Sequence, residues 1–186
     1  MKLGFAICGS SCNHARVMEE YERLAAKHEL IPILTDNAAG CDTRFGSAER
    51  FVERLETLAG RRAVTSIVEA EPLGPTNAMD ALTVAPCTGN TLAKLAAGVT
   101  DNAVTMAVKS HLRNGKPVVL ALATNDGLAA SAVNIGALLN RKHYYFVPFG
   151  QDDPARKPTS LVADFSRLEE TVAAALAGRQ LQPILL

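Results

Sequence analysis

The chain carries no surplus of either charge, nineteen Lys and Arg standing against nineteen Asp and Glu in 186 residues. The electrostatic footprint of a nucleic-acid or anionic-membrane binder is therefore missing, and a small-molecule ligand is expected. Cysteine is scarce. Positions 8, 12, 41 and 87 form neither a CxxC nor a Cys/His spacing suited to zinc, so they read as reduced cytosolic thiols rather than a metal site or disulfide frame. No stretch approaches the ~20 apolar residues that cross a bilayer. The opening MKLGFAICGSSC has an apolar core shorter than the roughly 7–15 residues of a signal-peptide h-region, and reads as a mature cytoplasmic start. The GxGxxG spacing of a dinucleotide fingerprint is absent, and no triad, metal cluster or carboxylate pair is legible.

What the chain does have is alternation. KLGFAIC (2–8) is an apolar run ended by Gly9-Ser10-Ser11, and from His14 to Lys27 the residues Val17, Met18, Tyr21, Leu24 and Ala25 recur at helical spacing. LIPILT (30–35) reads as a second strand, Ser47 to Leu58 as a helix, Thr65 to Ala70 as a third strand, and ALTVA (81–85) as a fourth. PVVLALA (117–123) and YYFVPF (144–149) are further strands, with helices at 103–112, 127–139 and 165–177. The strands are apolar throughout rather than at every second residue. That pattern predicts one α/β domain over 1–186, a Rossmann-like doubly wound parallel sheet of about six strands with helices on both faces. Residues 150–186 form its C-terminal extension, from the proline-rich GQDDPARKPTSLVAD to the apolar tail QLQPILL, which packs on its own subunit or on a neighbour.

Ligands of such sheets bind beyond the carboxyl ends of strands, where strand order reverses. Gly9-Ser10-Ser11, Thr35-Asp36-Asn37, Pro86 to Thr91 and Thr124-Asn125 all follow strands. The segment APCTGNTLAKLAAGVTDN (85–102) places small hydroxyls and free amides directly before a helix, a composition suited to an anion. Two such loops, after the first and fourth strands, favour a phosphate-bearing ligand. Thr88 or Asn90 also serves as a helix cap, and Asp101 is the expected cap of the next helix. Cys87, near a helix N-terminus, is a candidate for a lowered pKa or a small buried hydrophobe. His14 is a candidate ligand contact, whereas His28, His111 and His143 sit at element ends and are expected to be solvated.

The segment 85–102, with its pattern of Pro, Thr, Asn and Thr ahead of a hydrophobic-Ala run, resembles the flavin-binding stretch of the flavoproteins related to phosphopantothenoylcysteine decarboxylase and the flavin prenyltransferases. Across essentially the whole chain, ICGSSCNH, EPLGP, PVVLALATNDGL and YYFVPFGQDDPARKPTSLVAD are similar to the family of dipicolinate synthase B subunits. The resemblance implies an FMN site with Gly9, Ser10, Ser11, Thr35, Pro86, Thr88, Asn90 and Thr91 as contacts. It also implies a part in oxidising dihydrodipicolinate in the mother cell of a spore-forming bacterium. A nucleotide-binding A subunit carrying NAD(P) is the implied partner, and a homo-oligomer the default. EPLGPTNAMD lacks the histidine, and LATNDGLAA the methionines, that the cysteine decarboxylases carry there, so decarboxylation is not expected. Asn125 remains as a candidate for orienting substrate, with Arg16, Lys94, Lys109 and Arg113 as candidate cations for its carboxylates.

Overall fold

The computed structural model describes residues 1–186. The chain runs β1 (Lys2–Ile7), α1 (His14–Ala25), β2 (Glu29–Leu34), α2 (Asp36–Gly40), α3 (Ala48–Ala59), α4 (Ile67–Ala70), β3 (Ala81–Cys87) and α5 (Gly89–Ala97). It continues through α6 (Ala103–Leu112), β4 (Val118–Thr124), α7 (Ala132–Leu139), β5 (Tyr144–Phe146), β6 (Phe149–Asp153), β7 (Lys157–Ala163) and α8 (Leu168–Leu176). β1, β3 and β4 are buried along almost their whole length, which is why they read as unbroken apolar runs. The fold is the doubly wound α/β architecture that the alternation predicts. α1 and α8 pack on one face of the sheet, and α5 and α6 on the other. One cluster of 46 buried hydrophobic residues runs through both layers.

The parallel part of the sheet has the order β2-β1-β3-β4-β5. β4 changes neighbour halfway along. Its first residues pair in parallel with β5 (Val118↔Tyr144, Leu120↔Phe146), while Ala123 and Thr124 pair antiparallel with Val162 and Leu161 of β7. β6 then flanks β7 as the outer strand. On β3, Pro86 has no N–H to give the ladder and sits where the register against β4 slips, between Val84 and Cys87.

Several sequence expectations are corrected. Thr65–Ala70 is not a strand: only Val64 bridges to Ile33, and Ser66 starts α4 through a capping box with Glu69. A Ser followed three residues later by Glu competes with strand pairing by satisfying amides locally. The site helix therefore follows the third strand, not the fourth. Residues 127–131 are turns rather than helix, because the Asp126 carbonyl and carboxylate collect Ser131 N–H and Oγ. Asn102, not Asp101, caps α6: its Oδ1 accepts from Thr105 N at 3.0 Å, while Asp101 pairs with Lys94 at 2.6 Å. The proline-rich segment at 150–164, for which no strand was expected, forms with Phe149 the β6–β7 hairpin. The tail folds back on its own chain, with Phe149 N donating to Ile184 O and Leu186 N to Phe149 O, both at 3.0 Å.

Candidate functional site

β1 has β2 on one side of it and β3 on the other, so the crevice of the strand-order reversal lies beyond the carboxyl ends of β1 and β3. Two of the predicted loops meet there. The buried Thr91 hydroxyl donates to Cys8 Sγ at 3.2 Å, tying the first turn of α5 to the end of β1. Asn13 Nδ2 donates to Ser10 Oγ at 3.0 Å and folds the Gly9-Ser10-Ser11 turn onto its own following turn. Thr88 caps α5, its Oγ1 accepting from Thr91 N at 3.3 Å. Gly89 and Asn90 amides, first in the helix, are left without an intrahelical acceptor. Thr35 directly follows β2 and caps α2, its Oγ1 accepting from Ala38 N at 3.4 Å. Ser11 is half-buried and Asn90 exposed, and neither side chain has a partner inside the chain.

The loop after β4 forms the neighbouring wall. Asn125 is exposed, and its carbonyl accepts from Thr159 Oγ1 of β7 at 2.7 Å while its side-chain amide stays free. Asp126 accepts from Thr124 Oγ1 and, at 2.9 Å, from Ser131 Oγ. The Thr124 hydrogen bond holds its carboxyl below the usual range. α5 sits against this cluster through Gly89, where a Cβ would lie 2.6 Å from Thr124 Oγ1 and 2.9 Å from both Asp126 Oδ1 and Ser131 Oγ. The sequence reading missed this seat. Its only signal was the Thr-Asn-Asp run directly after an apolar strand.

Burial decides the behaviour of the thiols and the histidine. Cys87 is fully buried and pushed well above the ordinary thiol value, so the helix N-terminus does not activate it. The Cys8 thiol is pushed up to about 11 by the same cause. His14 is depressed by burial, and in the neutral tautomer its Nε2–H donates to Cys8 O at 2.9 Å. Its ring stacks on Phe51 with centroids 4.5 Å apart. A cleft of about 420 Å³ opens here, lined by Ser11, Cys12, His14, Asn37, Phe45 and Arg50 among others. Thr88, Asn90 and Thr91 are not on its walls; Ser11 joins it to the crevice.

Two of the histidines expected in solvent are not there. His111 is 1% exposed within α6, and His28 has a buried Nδ1. His143 is half-buried at a left-handed backbone position, φ 70°. The candidate cations also disperse. Lys94 is held by Asp101, Arg16 lies over the Phe165 ring at 5.2 Å, and Lys109 and Arg113 line a separate groove.

The donor set suits a phosphomonoester. It consists of neutral hydroxyls and helix N-terminal amides; Gly9–Ser11 and Thr88–Thr91 carry no carboxylate of their own, and the carboxylate of Asp126, beside Gly89, is already bonded by the Thr124 and Ser131 hydroxyls. The family model described as Flavoprotein matches residues 2–162. The dipicolinate synthase B subunit of Bacillus subtilis (strain 168) is 44% identical over 185 residues, covering 99% of this chain and 92% of the relative. The crystal structure of the dipicolinate synthase B subunit from Bacillus halodurans superposes with a TM-score of 0.91 at 41% identity, covering 100% of this chain and 95% of that one. The FMN-dependent cysteine decarboxylase SpaF shares the fold, with a TM-score of 0.72 at 22% identity over 95% of this chain and 97% of that one. With a full-length match at this level and a family model spanning the sheet and both candidate loops, the chain belongs to the flavoprotein family, in the branch of the dipicolinate synthase B subunits.

Proposed function

We propose that the chain is the B subunit of a two-subunit dipicolinate synthase, acting with an A subunit that carries NAD(P) in the oxidation of dihydrodipicolinate to dipicolinate. The observation that carries this reading is the end-to-end similarity to dipicolinate synthase B subunits. FMN is the cofactor that the crevice fits. Gly9, Ser10, Ser11, Thr35 and the Pro86–Thr91 segment would hold it, with the Gly89 and Asn90 amides and the Ser11 hydroxyl as the donors for its phosphate. When bound, flavin would supply a two-electron acceptor for the hydride lost on aromatisation, the accompanying proton leaving to solvent and the electrons passing on to the NAD(P)+ of the A subunit.

The chain's own contribution is positional. Thr88 and Thr91 keep the amides aimed outward, and the Thr91–Cys8 contact keeps the two loops at a fixed separation. Asn125 orients a substrate carboxylate with its free amide. Cys8 and Cys87 remain protonated, and His14 neutral, at physiological pH, so none adds charge beside the ligand. The scarcity of acids and bases here favours an arrangement in which the A subunit completes the active site.

Purification with added FMN, followed by visible absorbance of the desalted protein, tests the cofactor. Dipicolinate formation by the A and B subunits separately and mixed tests the reaction. Bound flavin that is lost in Asn90→Ala and Ser11→Ala, with product formed only by the mixture, is the expected result. Flavin-free protein whose Ser11 and Asn90 variants leave the mixture fully active would refute the FMN assignment. Equal dipicolinate formation by this chain alone would refute the two-subunit reading.

A further inference from the structure

Beside the amino-terminal ends of β4 and β5, at the opposite end of the sheet from the phosphate-type loops, runs a groove of about 520 Å³. Leu95, Val99 and Leu112 contribute apolar surface to it, and Val99 is 43% exposed. Lys109 and Arg113 supply one wall from α6, where a spacing of four residues puts them on the same helix face. Arg141 and Lys142 supply the other from the turn before β5. No carboxylate lines the groove, and none of the ion pairs in the chain involves any of these four cations. The nearest acid in sequence to the α6 pair, Asp101, is already held by Lys94 at 2.6 Å.

This clustering occurs in a chain whose formal net charge is zero. Arg141 is engaged internally, donating to the Leu95 and Ala96 carbonyls at 3.1 and 2.6 Å, at the negative end of α5. Lys109, Arg113 and Lys142 have no such partner, and they are exposed. Like charges gathered around apolar surface raise the free energy of the separated chain, and carboxylates laid between them remove that repulsion. A single small anion is ordinarily held by donors converging on one point. Two facing basic walls over an apolar floor instead match an extended chain that alternates acidic and apolar side chains.

We propose that this groove docks an acidic segment of the partner subunit, its carboxylates on the two walls and an apolar side chain on the floor. The proposal rests on the two-subunit reading above. It assigns the basic groove to assembly and leaves the crevice at the other end of the sheet for chemistry.

The test is the affinity of the full-length A subunit for this chain at two salt concentrations, with the wild type and with the triple variant Lys109→Glu, Arg113→Glu, Lys142→Glu. Arg141 is left intact because its hydrogen bonds support α5. The expected result is a weakening of about tenfold or more at low salt, with a shallower salt dependence, while circular dichroism and flavin content stay unchanged. The Gln triple at the same positions is expected to fall between. Unchanged affinity and salt slope in the Glu triple would overturn the proposal. So would wild-type affinity in the Gln triple, because the loss in the Glu triple would then come from added repulsion. If the variant loses self-association yet binds the A subunit normally, the groove joins copies of this chain and the proposal fails. Wild-type chains that associate but form no dipicolinate count against the functional reading alone, and the binding comparison still decides this one. Wild-type chains that never associate refute both.

Discussion

Gly89 and Gly136 are both helical glycines, and the same substitution at each is expected to change stability in opposite directions. At Gly136, within α7, a Cβ would meet nothing within 4 Å. Gly136→Ala therefore gains helix propensity and reduces the freedom of the unfolded chain, for a stabilisation of about 0.5–1 kcal/mol. At Gly89 the same atom would lie 2.6 Å from Thr124 Oγ1. Ordinary contact would require the neighbours to retreat by roughly 1 Å. They are not free to do so, since Thr124 and Ser131 both bond to Asp126. Overpacking of this kind costs about 1–3 kcal/mol, against a propensity gain of at most about 1 kcal/mol. The net loss of about 1–2 kcal/mol corresponds to a melting temperature lower by roughly 2–8 °C in a chain of this size. Because the helix moves off its seat, the Gly89 and Asn90 amides move with it, and FMN retention should fall more than stability alone explains. Thermal melts and urea titrations of the two variants, each with its flavin content measured, check the pair. A Gly89→Ala protein as stable as wild type, or two variants shifted in the same direction, would show that the Thr124–Asp126–Ser131 cluster does not support the helix.

Thr88→Ala removes the α5 cap and is expected to cost about 1 kcal/mol with weaker flavin binding, whereas Thr88→Ser restores both; denaturation curves and flavin fluorescence quenching check it. His111, buried and bonded to the Pro117 carbonyl, has its pKa lowered to about 4 by burial. Its folded value lies below the unfolded one, so its contribution is complete above about pH 6.5 and is lost as pH falls towards 4. Urea titrations at pH 7 and pH 5 should show a loss of about 2 kcal/mol in the wild type that is largely missing in His111→Gln, and equal losses in both would contradict it. Native protein should present Cys12 and Cys41 to a thiol reagent and protect Cys8 and Cys87, which react only in denaturant. Four rapidly reacting thiols in the native state would mean that the Cys8–Thr91 contact is not maintained.

The parallel core was legible because β1, β3 and β4 are buried on both faces and therefore appear as continuous apolar runs. The loops of the candidate site were legible for a related reason: each interrupts such a run with Gly, Ser or Thr. The hairpin was not, since β6 reads Phe-Gly-Gln-Asp-Asp and buries only its first residue fully. A half-exposed two-stranded ribbon has neither the apolar run of a central strand nor a strict alternation. α4 was misread because Ile67 and Val68 look strand-like, although Val68 is 81% exposed and the Ser66–Glu69 capping box fixes the turn. His111 was misplaced because its position near a helix end suggested solvent, whereas the segment that follows α6 turns back over that end and supplies the Pro117 carbonyl. Side-chain seats such as Gly89 on Asp126 depend on contacts between separate loops, which spacing within one segment does not encode.

The divided pairing of β4 makes the sheet a fan rather than a rectangle. Across its amino end five strands lie side by side, β2-β1-β3-β4-β5, while across its carboxyl end β7 is wedged in and the order becomes β2-β1-β3-β4-β7-β6. With neighbouring strands ~4.8 Å apart, the ligand-facing rim is wider than the opposite rim by roughly one strand spacing. The added strand runs against the others, so its connection to β6, Asp153 to Lys157, stands at the amino end of β7 and the carboxyl end of β6, on that same rim. The parallel core can thus keep its packing unchanged while the breadth of the rim beyond its carboxyl ends is set by whether a single ribbon is wedged in beside β4.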